Sequence, residues 1–211
     1  MSHRAAREAI CRLGEQLVRR GFVSGAAGNI SVRVPEGYLM TPTGAALDRL
    51  HRRDLSLVAI DGTHVSGNAP TKEAALHRAV YEARASANAV IHTHSIHAVA
   101  VTLLPEVNQA DALPPLTPYY VMRVGHAPVI PYAPPGDPAL AQTVGRAAAE
   151  SRVVLLAHHG PVIAGTSLDD AANVLAELEE TARLYLLVRN GSYRTLDEAS
   201  VAALRERYPN G

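Results

Sequence analysis

Two histidines stand at the end of an apolar run that is typical of a buried strand. His92 and His94 follow residues 89–91 and are separated by one threonine. Successive strand side chains alternate between faces, so these two imidazoles should point the same way. Neighbouring imidazoles suit a divalent metal, but such pairs also occur as ordinary hydrogen-bonded histidines at strand ends. The spacing alone leaves both interpretations open.

A second pair of histidines ends another apolar run. Residues 155–157 lead into His158 and His159, and Gly160 follows where the backbone must turn sharply. Adjacent strand residues face opposite sides, so at most one of this pair should join the first two imidazoles. Spacing does not choose between them. Three strand-end imidazoles would leave one side of a metal open, which is typical of catalytic rather than structural zinc.

Polar turns that could hold an oxyanion come before the histidines. Residues 25–29 and 41–44 are rich in Gly, Thr and Asn, which allow close backbone approach and supply neutral donors. Thr71 and Lys72 begin a predicted helix, whose N-terminus would attract a phosphate. Glu73 offers a carboxylate for proton transfer, although an acidic residue is also favourable at a helix start for electrostatic reasons. Spacing alone favours the second role.

The elements that must position these residues alternate between helical and strand patterns. Helical periodicity is found in residues 1–20, 72–84, 95–104, 137–150 and 168–189, and a shorter helix closes the chain. Short apolar or alternating runs predict strands at residues 29–34, 38–41, 56–60, 89–94, 152–157 and 161–164. Residues 105–136 hold eight of the fourteen prolines and are predicted to be loops around a short strand near 129–130. We therefore expect one α/β domain over residues 1–211.

Composition excludes several classes of function. Lys plus Arg and Asp plus Glu both number 20 in 211 residues, so no basic surplus points to nucleic acid. The first twenty residues carry charges throughout and do not form a secretory signal, and no segment has the apolar length of a membrane span. Cys11 is the single cysteine, which excludes an intrachain disulfide. We expect a cytoplasmic protein with a small-molecule partner, no nucleic acid and no membrane.

Taken together, the segments GNISVR, TPTG, PTKE, HTHS and HHG resemble the class II aldolase/adducin family in order and over nearly the whole chain. The resemblance implies a three-layer αβα fold with a mostly antiparallel central sheet. It also implies a homotetramer with sites between subunits. Zn²⁺, with Mn²⁺ or Co²⁺ as alternatives, would be held by His92, His94 and His159.

The resemblance further assigns roles around that metal. Glu73 matches the family's catalytic acid/base. The positions that match its substrate-phosphate site are Gly28, Asn29, Thr43, Gly44, Thr71 and Lys72. Tyr119, Tyr120 and Tyr208 are candidate proton donors or pocket walls from an adjacent subunit, with packing or a frayed tail as the alternatives.

One departure from the aldolases indicates a branch of the family. The aldolases usually carry two small hydroxyl residues before the glutamate, whereas this chain has Thr71 and Lys72. In this lysine, in the segment TPYYVMRVGHAPVIPY and in the PGD at residues 135–137, the chain resembles the branch of 3-oxo-tetronate 4-phosphate decarboxylases. That branch implies loss of CO₂ to give dihydroxyacetone phosphate through a metal-stabilised enediolate, with Glu73 delivering the proton and Lys72 pairing with the phosphate or the departing carboxylate. The alternatives are a sugar-phosphate aldolase of the fuculose-phosphate type and a non-catalytic, adducin-like interaction module.

Overall fold

The computed structural model describes residues 3–208 of the chain. The helices are α1 His3–Arg19, α2 Ala74–Ala83, α3 Ile96–Thr102, α4 Pro118–Arg123, α5 Pro138–Glu150, α6 Leu168–Val188 and α7 Glu198–Arg207. The strands are β1 Asn29–Val34, β2 Gly37–Met40, β3 Ser56–Ala59, β4 His64–Ser66, β5 Ala89–His92, β6 Val129–Ile130, β7 Val153–Leu156 and β8 Gly160–Gly165. A single 3-10 turn covers Leu47–Arg49.

All eight of these strands form one sheet in the order β4-β3-β2-β1-β5-β8-β7-β6. Every neighbouring pair is antiparallel except β6 and β7, which are parallel. Three central strands, β1, β5 and β8, carry or adjoin predicted site residues. Their pairing brings the relevant strand ends together at one end of the sheet. Asn29 lies opposite His92, and His92 lies opposite Val162. The sheet therefore places the histidines beside the first polar turn.

Helices cover both faces of the sheet. On β5, Ala89 and Ile91 belong to an apolar cluster with residues of α1, α3 and α6, whereas Val90 belongs to a second cluster with residues of α2 and α5. This split follows from the alternation of side chains along a strand, because each face must bury its own apolar residues. The single-domain, three-layer α/β fold with a mostly antiparallel sheet is confirmed.

Two local predictions were wrong. Residues 118–123 form α4, although this stretch was predicted to be loop. Thr117 caps the helix by accepting a hydrogen bond from the Tyr120 N–H, and Pro118 lies in its first turn. Six residues are too few to display a helical period, so capping rather than amphipathicity reveals this helix. Separately, α2 begins at Ala74 rather than at Lys72, because Thr71 and Lys72 belong to the preceding turn.

No helix within residues 3–208 is both long enough and apolar enough to cross a membrane.

Candidate metal centre and active site

The structure brings together the imidazoles of His92, His94 and His159. One nitrogen from each lies within 4.8 Å of the others. The Nε2 atoms of His92 and His159 are 3.2 Å apart. His92 is fully buried, the His159 side chain is 9% exposed, and His94 is exposed. The three rings thus form a cup that is closed on the His92 side and open on the His94 side.

His158 lies outside this cup. Its backbone has a φ of 61°, in the left-handed region, and the side chain is exposed. The turn between β7 and β8 therefore rotates the two neighbouring histidines apart, and only His159 points towards His92. The sequence left this choice open on spacing, and the resemblance favoured His159.

The three histidines fit a divalent metal. His92 donates its Nδ1 hydrogen to the Pro161 carbonyl at 2.9 Å, which leaves a lone pair on its Nε2. Burial lowers the pKa of His92 to about 3, so the ring is neutral, as a ligand must be. A separation of 3.2 Å between two ligand nitrogens is close to the edge of roughly 3.3 Å expected for tetrahedral zinc. The donor set accordingly fits a metal with an open fourth position.

Glu73 lies directly against this cup. Its Oε2 is 3.5 Å from His92 Nε2, and its Oε1 is 3.5 Å from His159 Nε2. Glu73 is the N-cap residue of α2, but its side chain makes no capping hydrogen bond, so the carboxylate is free to face the histidines. Its Oε1 is buried and has no hydrogen-bond partner among residues 3–208. A substrate or a cation is the partner expected for such an oxygen.

The electrostatics of Glu73 favour the carboxylate form. Burial raises the pKa of Glu73, but the charge of His92 when its ring is protonated and the hydrogen bond from Asn29 outweigh that effect, and the pKa is lowered overall. A cation held by the histidines would act in the same direction. Glu73 is thus a carboxylate before substrate arrives.

The polar turns predicted to hold a phosphate converge beside Glu73. Thr71 donates its N–H to the Thr41 carbonyl at 3.2 Å, and Thr43 donates its N–H to the Ala69 carbonyl at 3.0 Å. Thr41 Oγ1 in turn accepts the Ile30 N–H at 3.2 Å, which joins this pair of segments to the start of β1. Three stretches that are distant in sequence therefore meet on one side of the histidines.

Gly28 and Gly44 show why glycine occupies these turns. Gly28 has a φ of 87°, and a Cβ there would lie 2.8 Å from the His92 carbonyl oxygen. Gly44 has a φ of 69° and faces open space, where its backbone is accessible. The side chain of Asn29, by contrast, is already committed, since its Nδ2 donates to Glu73 Oε2 at 2.7 Å. In the described chain, Asn29 thus serves the carboxylate.

Lys72 is exposed, while Thr71 and Glu73 on either side are buried. Lys72 and Glu73 line one small cleft with Gly136, Asp137 and Leu140. Gly136 and Asp137 belong to the PGD segment, so two parts of the pattern that separates the decarboxylase branch from the aldolases lie together. No pattern in the sequence indicated that these segments meet.

The three candidate tyrosines are not part of the histidine cup in this chain. Tyr120 is buried, and its hydroxyl donates to Asp111 Oδ1 at 3.1 Å, which is the packing role given as its alternative. Burial raises the pKa of Tyr120 further. Tyr119 and Tyr208 are 54% and 39% exposed. A contribution of these two to a neighbouring subunit's pocket stays a prediction.

Sequence reasoning missed two positions next to the site. His77 is completely buried on α2, one turn after Glu73, and donates from Nε2 to Asn29 Oδ1 at 2.5 Å. The four-residue spacing of Glu73 and His77 was the available signal, because it places both on one face of a helix. Glu179 on α6 accepts hydrogen bonds from the His97 and Ala98 N–H groups, each at 2.9 Å, and so fixes the start of α3 just after His94.

Comparisons with known proteins agree with this geometry. The Class II Aldolase and Adducin N-terminal domain family matches residues 8–186. A 3-oxo-tetronate 4-phosphate decarboxylase of Cupriavidus necator is 47% identical over 206 residues, covering 96% of this chain and 95% of the relative. An L-fuculose phosphate aldolase of Haemophilus influenzae is 36% identical over 174 residues, covering 81% of this chain and 77% of the relative. The crystal structure of YgbL from Klebsiella pneumoniae superposes with a TM-score of 0.94 at 42% identity, covering 97% of this chain and all of that one.

The chain belongs to the class II aldolase and adducin family. The resemblance drawn from its motifs is thereby confirmed, including the similarity to the decarboxylase branch. Class II aldolases depend on a metal, and the histidine cup is a site that could bind one.

Proposed function

We propose that this protein is a carbon-carbon lyase that decarboxylates a 3-oxo-tetronate 4-phosphate to dihydroxyacetone phosphate and CO₂. The feature that favours decarboxylation over aldol cleavage is Lys72, which lines a small cleft with Glu73, Gly136 and Asp137. A lysine next to the proposed proton carrier would give the carboxylate of an acidic substrate a cationic partner. The similarity to a decarboxylase of that name, which extends over nearly the whole chain, supports the same assignment.

His92, His94 and His159 are the proposed ligands of one Zn²⁺ per subunit, with Mn²⁺ and Co²⁺ as alternatives. When bound, such a cation supplies a Lewis acid that draws electron density from the oxygens beside the bond being broken. The Pro161 carbonyl, through His92 Nδ1, holds one ligand in the tautomer that this role requires.

The converging turns would hold the substrate phosphate. The proposed set is Gly28, Asn29, Thr43, Gly44, Thr71 and Lys72. Since the Asn29 side chain already donates to Glu73, Asn29 would contribute through the carboxylate that it orients. Fixing the phosphate fixes the distance from C4 to the reacting carbons, and such positioning accounts for much of the rate gain in a closed site.

The reaction then needs one proton on carbon. The C1–C2 bond breaks, CO₂ leaves, and its electron pair passes to C2 and the C3 carbonyl. Glu73, facing the cup, delivers a proton to C2, which completes dihydroxyacetone phosphate. Glu73 begins as a carboxylate, so it acquires that proton after the anionic substrate has entered, when a second negative charge favours its protonated form. Lys72 orients the departing carboxylate.

A sugar-phosphate aldolase is the second candidate, and the aldolase relative from Haemophilus influenzae favours it. The metal ligands, phosphate turns and Glu73 would serve either reaction, because both leave an electron pair next to a carbonyl. A non-catalytic, adducin-like module is the third candidate. It would have no need of a buried carboxylate facing three imidazoles, so the geometry favours an enzyme.

We also propose a homotetramer in the cytoplasm, with Tyr119 and Tyr208 reaching a neighbouring subunit's pocket. Large apolar side chains are exposed on this chain, among them Ile96, Leu103, Tyr132 and Leu187 at 52–74%. Surface of this kind is typical of residues buried on assembly. Light scattering that finds a stable, fully active 22.4 kDa species would contradict this assembly.

A paired substrate assay tests the proposed reaction. Purified, zinc-loaded protein is incubated separately with each stereoisomer of 3-oxo-tetronate 4-phosphate and with L-fuculose 1-phosphate. CO₂ and dihydroxyacetone phosphate are measured in each case, and Glu73→Gln serves as the control. Efficient release of both products from the acid, lost in the control, is expected. Cleavage of fuculose 1-phosphate with no reaction of the acid would replace this proposal by the aldolase.

A further inference from the structure

A continuous chain of buried side-chain hydrogen bonds ends at Glu73. Tyr81 Oη contacts Ser31 Oγ at 2.8 Å, and Ser31 Oγ contacts His77 Nδ1 at 2.7 Å. His77 Nε2 contacts Asn29 Oδ1 at 2.5 Å, and Asn29 Nδ2 contacts Glu73 Oε2 at 2.7 Å. All five residues are at most 7% exposed. We call this set, Tyr81, Ser31, His77, Asn29 and Glu73, the buried polar chain.

The direction of every hydrogen bond in the buried polar chain follows from its carboxylate end. A carboxylate only accepts, so Asn29 must turn its NH₂ group towards Glu73 and its carbonyl oxygen towards His77. His77 then has to donate from Nε2, which leaves Nδ1 as an acceptor for the Ser31 hydroxyl. Ser31 in turn accepts from Tyr81. A single arrangement of hydrogens therefore accounts for all four hydrogen bonds of the buried polar chain.

We infer that His77 is a positioning residue, which acts through Asn29 to hold Glu73 in the orientation that proton transfer requires. This inference rests on the proposed role of Glu73 and names a residue that the family motifs do not include. Without a donor at His77 Nε2, the Asn29 amide could rotate. Its carbonyl oxygen would then face the carboxylate, and Glu73 would turn away from the histidine cup.

The surroundings of His77 suit this role. Burial lowers the pKa of His77 to about 4, so the ring stays neutral and keeps one donor and one acceptor nitrogen at neutral pH. Burial also raises the pKa of Tyr81, which keeps its hydroxyl a donor. Tyr81 is held by stacking on Tyr38, with ring centroids 4.6 Å apart. The far end of the chain is thus anchored in the core.

The side-chain amide of Asn29 lies between His77 and Glu73, and it determines whether the buried polar chain can conduct protons. An amide nitrogen does not pass protons readily, so the buried polar chain orients Glu73 and does not feed it protons. The proton that Glu73 delivers must therefore arrive from the substrate side of the site.

Two substitutions at one position test the inference. His77→Gln places an amide nitrogen near the position of Nε2 and keeps a donor to Asn29. His77→Asn reaches only the position of Nδ1, so it keeps the Ser31 contact and loses the Asn29 contact. We expect His77→Asn to lower kcat by roughly 10- to 100-fold, the scale seen when outer partners of site residues are removed. The KM should change little, and His77→Gln should retain most of the rate.

Val80→Ala controls for loss of stability alone. Val80 is 1% exposed on the same helix and belongs to the α2–α5 core, but it has no part in the buried polar chain. It should lower the melting temperature while leaving kcat per folded, metal-loaded subunit unchanged. In an Asn29→Ala background, His77→Asn should have no further effect on kcat. Equal kcat for His77→Asn and the parent protein, or equal losses for the Asn and Gln variants, would overturn the inference.

A measurement on the unaltered protein covers the case in which the variants fail to fold. In ¹⁵N-histidine-labelled, metal-loaded protein, the NMR shifts of His77 should show a neutral ring protonated at Nε2. A ring protonated at Nδ1 would reverse the buried polar chain and overturn the inference. This readout needs no substrate, so a failure of the proposed decarboxylation is distinguishable from a failure of the His77 assignment.

Discussion

A Cβ atom on Gly160 would lie 2.1 Å from the carbonyl oxygen of Thr93. Gly160 follows His159, and Thr93 lies between His92 and His94. The backbone of the β7–β8 turn therefore packs directly on the backbone of the HTH segment. The closeness of this contact sets the distance between the ligands contributed by the two segments.

Gly160→Ala should accordingly disrupt the metal centre as well as the fold. Gly160 has a φ of 149°, which strains any other residue, and the clash is with backbone that cannot rotate away. We expect a loss of several kcal/mol in the free energy of unfolding, on the scale of other strained backbone sites, together with weaker zinc binding. Gly21→Ala is the matched control, since Gly21 has a φ of 77° with nothing within 4 Å. Urea denaturation would show that Gly21→Ala loses only about 1 kcal/mol in the free energy of unfolding. Metal analysis would measure zinc binding in both variants. Full zinc content and near-normal stability in Gly160→Ala would contradict the contact.

Measurements of metal content should distinguish the roles of His158 and His159. His159→Ala removes a proposed ligand, so the purified protein should lose its stoichiometric metal. His158→Gly should keep the metal and gain about 1 kcal/mol in stability, because glycine adopts the positive φ of 61° without strain. Elemental analysis after dialysis measures the first effect and thermal unfolding the second. Loss of metal in the His158 variant, with retention in the His159 variant, would exchange their roles.

Replacement of Glu179 on α6 should lower the stability of the folded protein. Glu179 is 6% exposed and accepts the N–H groups of His97 and Ala98. Glu179→Ala leaves these donors without a partner in a buried place, which costs about 1–3 kcal/mol. Because α3 starts just after His94, metal affinity should fall as well. Glu180→Ala is the control, since Glu180 is 72% exposed and its pairing with Arg183 should contribute less than about 1 kcal/mol. Equal denaturation midpoints for both variants would contradict this prediction.

Much of the fold could be predicted because strand alternation and helical periods are local signals. The α/β class and the long helix α6 followed from such patterns, whereas the three-layer arrangement was implied by the family resemblance. The short helix α4 did not, since its six residues are defined by the Thr117 cap rather than by a period.

The site was partly predictable for a similar reason. Alternation along a strand placed His92 and His94 together, but it could not choose between His158 and His159, because the positive φ of His158 takes that residue out of the strand pattern. The hydrogen bonds from Asn29 to Glu73 and from His77 to Asn29 join residues 44 and 48 positions apart, and only the folded chain brings them together. The cleft shared by Lys72 and Gly136 is of the same kind.

Lys72 is the residue whose replacement should best separate decarboxylation from aldol cleavage. A departing carboxylate carries a negative charge that an aldehyde lacks, so a nearby cation helps to bind and orient the acid. Lys72→Ser copies the aldolase pattern and should reduce turnover of the 3-oxo acid by roughly one to three orders of magnitude. Steady-state kinetics at saturating zinc measures the loss, and unchanged turnover would remove Lys72 from the mechanism.

The most direct measurement follows both fragments of one labelled substrate. The protein is given 3-oxo-tetronate 4-phosphate with ¹³C in the carboxyl group, in D₂O, and the products are followed by NMR. The account predicts equal amounts of labelled CO₂ or bicarbonate and of dihydroxyacetone phosphate. The latter should carry one deuterium on the carbon that was C2, placed on a single face by Glu73, and Glu73→Gln should form little of it. An intact labelled acid, with L-fuculose 1-phosphate cleaved under the same conditions, would contradict the decarboxylase assignment.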